Sequence, residues 1–314
     1  MIEILKAPPF ITVQDQGREG HRAEGVPSAG AMDRIALALA NRLVGNAPGA
    51  AGFEWALGGG RVGFTDARTI ATGAPGAAAR LNGELLSPWQ CVPIRAGDEL
   101  AIEPPASGRF AYLAISGGLL VPPVLDSRST YLPGRFGGHE GRRLRTGDRL
   151  PLGSTAALPP RASLPEAQRP DYARAIRLVE GPQHDLFTEQ AWELLLSGGY
   201  TVSAASDRMG YRLEGPALTH RGPASLPSEP ACPGAIQGPD GGAPIILMPD
   251  GPTVGGYPKL AVVITADLGV MAQQTPGTCP RFERATLDQA VAALREQRRV
   301  ANGLLLSADP HHRP

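Results

Sequence analysis

From Asp250 to Lys259 the chain reads Asp250-Gly251-Pro252-Thr253-Val254-Gly255-Gly256-Tyr257-Pro258-Lys259, ionisable side chains on a backbone made permissive by glycine. The pair Gly255-Gly256 lets backbone N–H groups approach a ligand closely, while Asp250, Thr253, Tyr257 and Lys259 supply a carboxylate, a hydroxyl, a phenol and an ammonium. That set suits chemistry on a small polar molecule, with a cation to hold developing negative charge and a carboxylate to position water or act as base. The plainer alternative is a hairpin turn with solvated charges. Two apolar runs must hold the segment in place, Ile245-Ile246-Leu247-Met248 before it and Leu260-Ala261-Val262-Val263-Ile264 after it. Both are short and β-branched enough to read as strands buried on two faces.

The rest of the chain has to supply that scaffold. Its 314 residues, 42% of them hydrophobic, are enough for a large core or two domains. Forty glycines and 32 prolines are scattered without a three-residue period, which favours many short strands and turns over long helices or collagen. Lys+Arg and Asp+Glu each count 30, so no excess positive charge drives binding to nucleic acid or anionic lipid. The three cysteines, Cys91, Cys232 and Cys279, form no C-x-x-C pair and are expected as buried reduced thiols. Residues Met1 to Lys6 lack the apolar core of a signal peptide, and no run is long enough to span a membrane, so a cytoplasmic protein is expected.

Strands are expected at Thr69–Thr72, Ala79–Leu81, Cys91–Ile94, Glu99–Ile102 and Phe110–Ile115, separated by turns such as Asn82-Gly83, Ala96-Gly97-Asp98 and Thr146-Gly147-Asp148, a barrel or sandwich pattern. Three helices are expected. In the first, Met32, Ile35, Ala36, Leu39, Ala40 and Leu43 fall at helical spacing, and Gly45-Asn46 with Pro48 stops it. The second runs from Glu189 to Leu196, with Thr188 as its cap. The third follows a capping box, Thr286-Leu287-Asp288-Gln289, with Leu287, Val291 and Leu294 as its apolar stripe. Residues 158–170, rich in proline, alanine and charge, read as a linker between domains at 1–157 and 171–300, with 301–314 as a tail. Similarly patterned strands at Arg109–Ser116 and Tyr257–Thr265 hint that the two domains are related.

Several familiar motifs fail on context. Gly58-Gly59-Gly60-Arg61-Val62-Gly63 satisfies G-x-G-x-x-G, but a β-like stretch follows where a dinucleotide site needs a helix, so it reads as a turn. No Walker A, H-E-x-x-H or G-x-S-x-G pattern occurs. The histidines His21, His139, His184, His220, His311 and His312 show no metal-ligand spacing within one element. The last two are expected in a disordered tail and the others as caps or packing groups, with no metal site.

Four polar clusters remain. They are Thr12-Val13-Gln14-Asp15-Gln16-Gly17-Arg18 with Gly25–Asp33 and Asn41; Gly117-Gly118 with Leu125–Tyr131 and Phe136–Gly138; Ser206–Gly215; and Ser228-Glu229 with Pro233–Gln237. Together with Gly255-Gly256-Tyr257-Pro258-Lys259, and in this order, they resemble the family of 5-oxoprolinase C subunits, also called KipA-like or allophanate hydrolase subunit 2. The match runs from Thr12 to the third helix. It implies a mainly β fold of two cyclophilin-like β-barrel domains with a few helices. It also implies two partners, a KipI-like protein and a LamB/YcsF-like protein, with which the family opens the 5-oxoproline lactam to glutamate at the expense of ATP. In urea carboxylases a related segment moves a carboxyl group from carboxybiotin to urea; no biotin carboxylase or biotin-carrier segment is found here, so biotin belongs only to that alternative. A third reading is regulatory, with tight pairing to a KipI-like inhibitor of a sensor kinase as the function itself.

Residue chemistry suggests roles within that reading. Lys259 and Arg208 suit stabilisation of an oxyanion, and Arg208 could instead grip a substrate carboxylate through a bidentate fork. Asp250, Asp15 or Glu229 could position water or act as base, while Tyr257 and Gln14 could orient an amide. Arg18, Gln237, Thr253, Gly255 and Gly256 complete the expected substrate-binding set. Two stretches depart from the family pattern: Pro230-Ala231-Cys232, where relatives tend to carry a glycine and an apolar residue, and Gly251-Pro252-Thr253-Val254, where they carry a more polar run. The first stiffens a turn and the second removes donors, which bears on substrate identity more than on fold.

Overall fold

The computed structural model of the chain describes residues 1–73, 75–76, 79–105, 107–155, 162–303 and 307–308. It is mainly β, with four α-helices among the described residues. The chain divides into two compact units, one of Met1–Arg18, Ala29–Pro170 and Arg298–Pro314, the other of Glu19–Ser28 and Asp171–Gln297.

The first unit holds two antiparallel sheets. One has the spatial order Arg149–Leu150, Ile2–Lys6, Gly60–Phe64, Glu99–Ile102, Ala79–Leu81, Glu84–Leu86. The other runs Phe10–Gln14, Gly52–Ala56, Ala111–Ile115, Arg68–Gly73, Gln90–Ile94, Ala162–Ser163, Ser307–Ala308. Ile2, Ile4, Val62 and Leu100 from one sheet meet Val13, Phe53, Ile70 and Leu113 from the other in a single core. Each such side chain contributes about 1.5–3 kcal/mol on burial. Helix α1, Arg34–Leu43, packs over strands Ala111–Ile115 and Arg68–Gly73. Ala111–Ile115 is therefore covered on both faces and buried throughout, which is why it reads as an unbroken apolar run. The helix begins later than the spacing of Met32 suggests, because Asp33 accepts from the Ala36 N–H and acts as N-cap.

The second unit is built on one sheet in the order Thr201–Val202, Gly210–Glu214, Ile245–Leu247, Ala235–Gln237, Lys259–Val263, Ile176–Glu180, Phe282–Arg284. All its pairings are antiparallel except that of Ile176–Glu180 with Phe282–Arg284. A separate ladder joins Glu229–Pro230 to Val254–Gly255. Helix α2, Glu189–Leu196, is capped by Thr188 as expected. Helix α3, Leu268–Ala272, has no side-chain cap and is too short to show a period, so it leaves no signal in the residue pattern. In α4, Leu287–Asn302, the Thr286 N–H donates to Gln289 Oε1 at 2.8 Å and the Gln289 N–H to Thr286 Oγ1 at 3.2 Å, the expected reciprocal box.

Three expectations need correction or completion. The stripe on α4 is not a buried face: Leu287 is 71% and Val291 38% exposed, and Ala301 is the helix's buried residue. Spacing identifies a face but not whether another element covers it. Of the cysteines only Cys91 is buried; Cys232 and Cys279 lie in exposed turns and loops. Within the stretch expected as a linker, residues 158–161 lie outside the described residues, while Ala162–Ser163 pairs with Cys91 and Gln90 and Leu164 is buried. Of the expected tail, residues 304–306 and 309–314, including His311 and His312, also lie outside them.

Candidate functional site

The expected site residues fall into two groups, one in each unit. In the first unit Gln14 ends the strand Phe10–Gln14, and Asp15, Arg18 and the segment Ser127–Thr130 follow from the fold of that edge. Asp15 is fully engaged in holding its own loop. Its Oδ1 accepts from the Gly17 N–H at 2.8 Å, the Ser127 hydroxyl at 2.7 Å and the Ser129 hydroxyl, and its Oδ2 accepts from the Arg128 N–H at 2.6 Å. A carboxylate so saturated is a structural anchor, and the base role considered for Asp15 loses its lone pairs to these donors. Arg18 is buried, donates to the Ser129 carbonyl at 2.6 Å and lies 4.9 Å over the Phe136 ring. Gln14 is buried; its amide donates to Thr12 Oγ1 at 3.0 Å and to the Thr130 carbonyl at 3.2 Å, while Oε1 has no partner among the described residues.

Beneath α1 the same unit carries a second polar chain. The Asp33 N–H donates to the Tyr112 hydroxyl at 2.7 Å, which donates to Glu54 Oε2 at 2.9 Å, where the Met32 N–H also ends at 2.7 Å. Burial, with the Glu54 and Asp33 carboxylates nearby, pushes the Tyr112 phenol well above its ordinary value and keeps it a donor.

In the second unit the loop singled out by sequence is positioned by close backbone contact. The Asp250 N–H donates to the Arg208 carbonyl at 3.0 Å and the Met248 N–H to the Met209 carbonyl at 3.0 Å. At Gly251 a Cβ would lie 2.6 Å from the Met209 carbonyl oxygen, so only glycine fits. Arg208 Nε and Nη2 each donate to the Asp250 carboxylate at 2.8 Å, and both residues are buried. The fork expected for a substrate carboxylate is thus closed on Asp250, and each of these candidates takes up the chemistry of the other.

Lys259 opens the strand Lys259–Val263, opposite Gln237. Its ammonium, on a side chain only 4% exposed, donates to Glu229 Oε1, while the Glu229 side chain remains 36% exposed. Glu229 stands on the short ladder facing Gly255, whose turn also brings Thr253 and Gly256 alongside: the Ala231 N–H donates to the Thr253 carbonyl at 2.9 Å and the Leu226 N–H to the Gly256 carbonyl at 2.7 Å. The hydrogen bond from Lys259, opposed by some desolvation, holds the Glu229 carboxyl below the usual carboxylate range. Gln237 is buried with its Nε2 unpartnered among the described residues, packed against the Cα of Gly255. Tyr257 is 43% exposed and lies outside this hydrogen-bonded group.

Two participants escaped the sequence reading. Gln183 donates through Nε2 to Glu229 Oε1 at 2.6 Å and accepts the Lys259 N–H at 3.1 Å. Arg22, from the segment Glu19–Ser28, donates to the carbonyls of Ala231 at 2.5 Å and Pro252 at 3.3 Å. Burial lowers its pKa, partly offset by nearby Cys232. Gly181-Pro182 after an apolar run signals the turn that carries Gln183, but nothing in spacing says what that turn faces. Chemically, the second unit offers an ammonium paired with a solvent-reaching carboxylate, able to polarise a carbonyl and to hold a water or a proton beside it.

A family model described as carboxyltransferase domain, subdomain A and B, matches residues 24–284. The chain is 39% identical to the 5-oxoprolinase C subunit of Escherichia coli over 303 residues, 95% of this chain and 96% of that protein. It is 36% identical to the 5-oxoprolinase C subunit of Haemophilus influenzae, with 96% of each chain covered. Among solved structures, urea amidolyase of K. lactis matches with a TM-score of 0.91 at 30% identity; the match takes in 99% of this chain but only 20% of that much longer one.

Proposed function

The chain belongs to the family of 5-oxoprolinase C subunits within the carboxyltransferase domains, and we propose that it forms part of an ATP-dependent enzyme that opens the lactam of 5-oxoproline to L-glutamate. The observation that carries this reading is the degree of likeness: the chain is 39% identical to the Escherichia coli protein over 96% of that protein's length, against 33% identity to urea amidolyase of Saccharomyces cerevisiae. Such a chain works with others, and the family resemblance supplies them as a KipI-like protein and a LamB/YcsF-like protein in a cytoplasmic hetero-oligomer.

Within this reading the Lys259–Glu229 pair is the reacting centre of the chain. In this reading the Lys259 ammonium stabilises the carbonyl oxygen as it gains negative charge, and Glu229, held ionised, takes a proton from the attacking water and returns it to the ring nitrogen as the C–N bond breaks. Arg208 and Asp250 close on each other and brace the loop that carries Asp250. The glycine run Gly58–Gly63 passes into the strand Gly60–Phe64 and opens no helix, so it does not form a helix-terminus phosphate site. In this reading ATP is consumed by the assembled complex.

Lys259→Met tests the assignment in the reconstituted complex. The variant removes one partner of an ion pair whose other member reaches solvent, so the chain stays folded, and glutamate release should fall by at least about 100-fold. Near-normal turnover would sink it. The likeness to urea amidolyase, a TM-score of 0.91, favours a second reading, carboxyl transfer to a urea-like amide with biotin as carrier. Bicarbonate-derived label appearing on urea would select that reading.

A further inference from the structure

The turn that leaves strand Ile176–Glu180 is pressed against the first residue of strand Lys259–Val263. The Gly181 N–H donates to the Leu260 carbonyl at 2.8 Å, and a Cβ on Gly181 would lie 2.2 Å from the Lys259 carbonyl oxygen. His184 caps the turn with Nδ1 2.9 Å from the Gly181 carbonyl. Between them stands Gln183, whose backbone N–H donates to the Lys259 carbonyl at 3.3 Å and whose Oε1 accepts the Lys259 N–H at 3.1 Å. One glutamine thus takes both backbone groups of the lysine. Its remaining donor, Nε2, reaches Glu229 Oε1 at 2.6 Å, the same oxygen that receives the Lys259 ammonium.

We propose that Gln183 is the positioning residue of the Lys259–Glu229 pair, fixing the carboxylate rotamer and the base of the lysine at once so that one oxygen of Glu229 is committed and the other stays available for a proton. This rests on the proposed function, in which that pair reacts. An amide is the side chain suited to the place: it offers an acceptor to the lysine N–H and a donor to the carboxylate, which neither a carboxylate nor an ammonium at this position does. Glu229 stands on a two-residue ladder strand and is partly exposed, so its rotamer depends on such side-chain donors. Glu180 and His184 lie at the turn that carries Gln183, 3.6 Å apart, and Cys232, beyond Pro230, is within electrostatic reach of Arg22 and Lys259.

The test uses Gln183→Leu and Gln183→Glu in the full chain, with Glu229→Gln to assign the signal. Two readouts are compared: the carbon-13 titration of the Glu229 carboxyl in the chain, and kcat and KM of the reconstituted complex against pH. Gln183→Leu removes a donor that favours the charged carboxylate, so the Glu229 midpoint rises, and kcat falls about 10- to 100-fold with KM little changed. Gln183→Glu places two carboxylates together, and they retain one proton to higher pH. When that proton is present the new acid mimics the amide, donating to Glu229 and accepting from Lys259, so activity returns as pH falls. An unmoved Glu229 midpoint in Gln183→Leu, or a moved midpoint with wild-type kcat, overturns the proposal. If the wild-type complex releases no glutamate but the midpoint still moves, the positioning stands and the assigned reaction fails; if the wild type turns over and neither readout moves, the reverse holds.

Discussion

Replacing Asp250 by alanine should unfold the second unit at a markedly lower temperature. The carboxylate receives both Arg208 Nε and Nη2 at 2.8 Å, and both residues are buried. Removing one member of a buried pair strands the other charge in a medium that cannot solvate it, a loss of about 3–5 kcal/mol. At roughly 2–4 °C per kcal/mol for a unit of this size, Tm should fall by about 10 °C. The measurement is a thermal melt of the full chain followed by near-ultraviolet circular dichroism, which reports tertiary packing. A double variant, Arg208→Met with Asp250→Leu, removes both charges and should recover most of the loss, because an apolar pair of similar volume does not need solvation. A Tm shift of Asp250→Ala below about 2 °C, or a double variant no better than the single, would refute the argument that this pair is a buried brace.

Acid stability should depend on Asp267. Burial alone would raise this carboxyl, but hydrogen bonds from Arg177 at 2.8 and 2.9 Å and the ion pair with Arg174 at 2.5 Å outweigh it and hold it below the usual range. A depressed carboxyl stabilises the fold above its unfolded pKa of about 3.9 and loses that contribution as pH falls through the folded value. Urea midpoints of wild type should therefore drop below about pH 4, and those of Asp267→Asn should start lower and vary less; parallel curves would contradict this. Native labelling with a maleimide should modify Cys232 and Cys279 and spare Cys91, whose sulfur is buried under the Ala162 N–H at 3.2 Å. Mass spectrometry of the digested product reads the result, and labelling of Cys91 in the folded chain would count against the strand pairing at Ala162.

What the sequence disclosed was largely local. The strands Ala79–Leu81 and Glu99–Ile102 have the expected bounds, and the caps at Thr188 and Thr286 are made as read, because propensity and capping depend on residues within a few positions. The segment Asp250–Lys259 also marks real polar structure. Its internal logic was not legible, since Asp250 faces Arg208 and Lys259 faces Glu229 through strand pairings between residues dozens of positions apart. The same limit hid Gln183 and Arg22, whose partners are Glu229 and the carbonyls of Ala231 and Pro252. The exposure of the α4 stripe was hidden for a related reason: the pattern is amphipathic, but nothing in it shows that Leu287 and Val291 stay uncovered.

Glutamate production by the assembled complex bears most directly on the central claim. The chain, mixed with KipI-like and LamB/YcsF-like proteins, 5-oxoproline and ATP, should release glutamate only when all are present, with ADP formed in step. Glutamate formed equally well without this chain, or carboxylated urea formed in its place, would contradict the account.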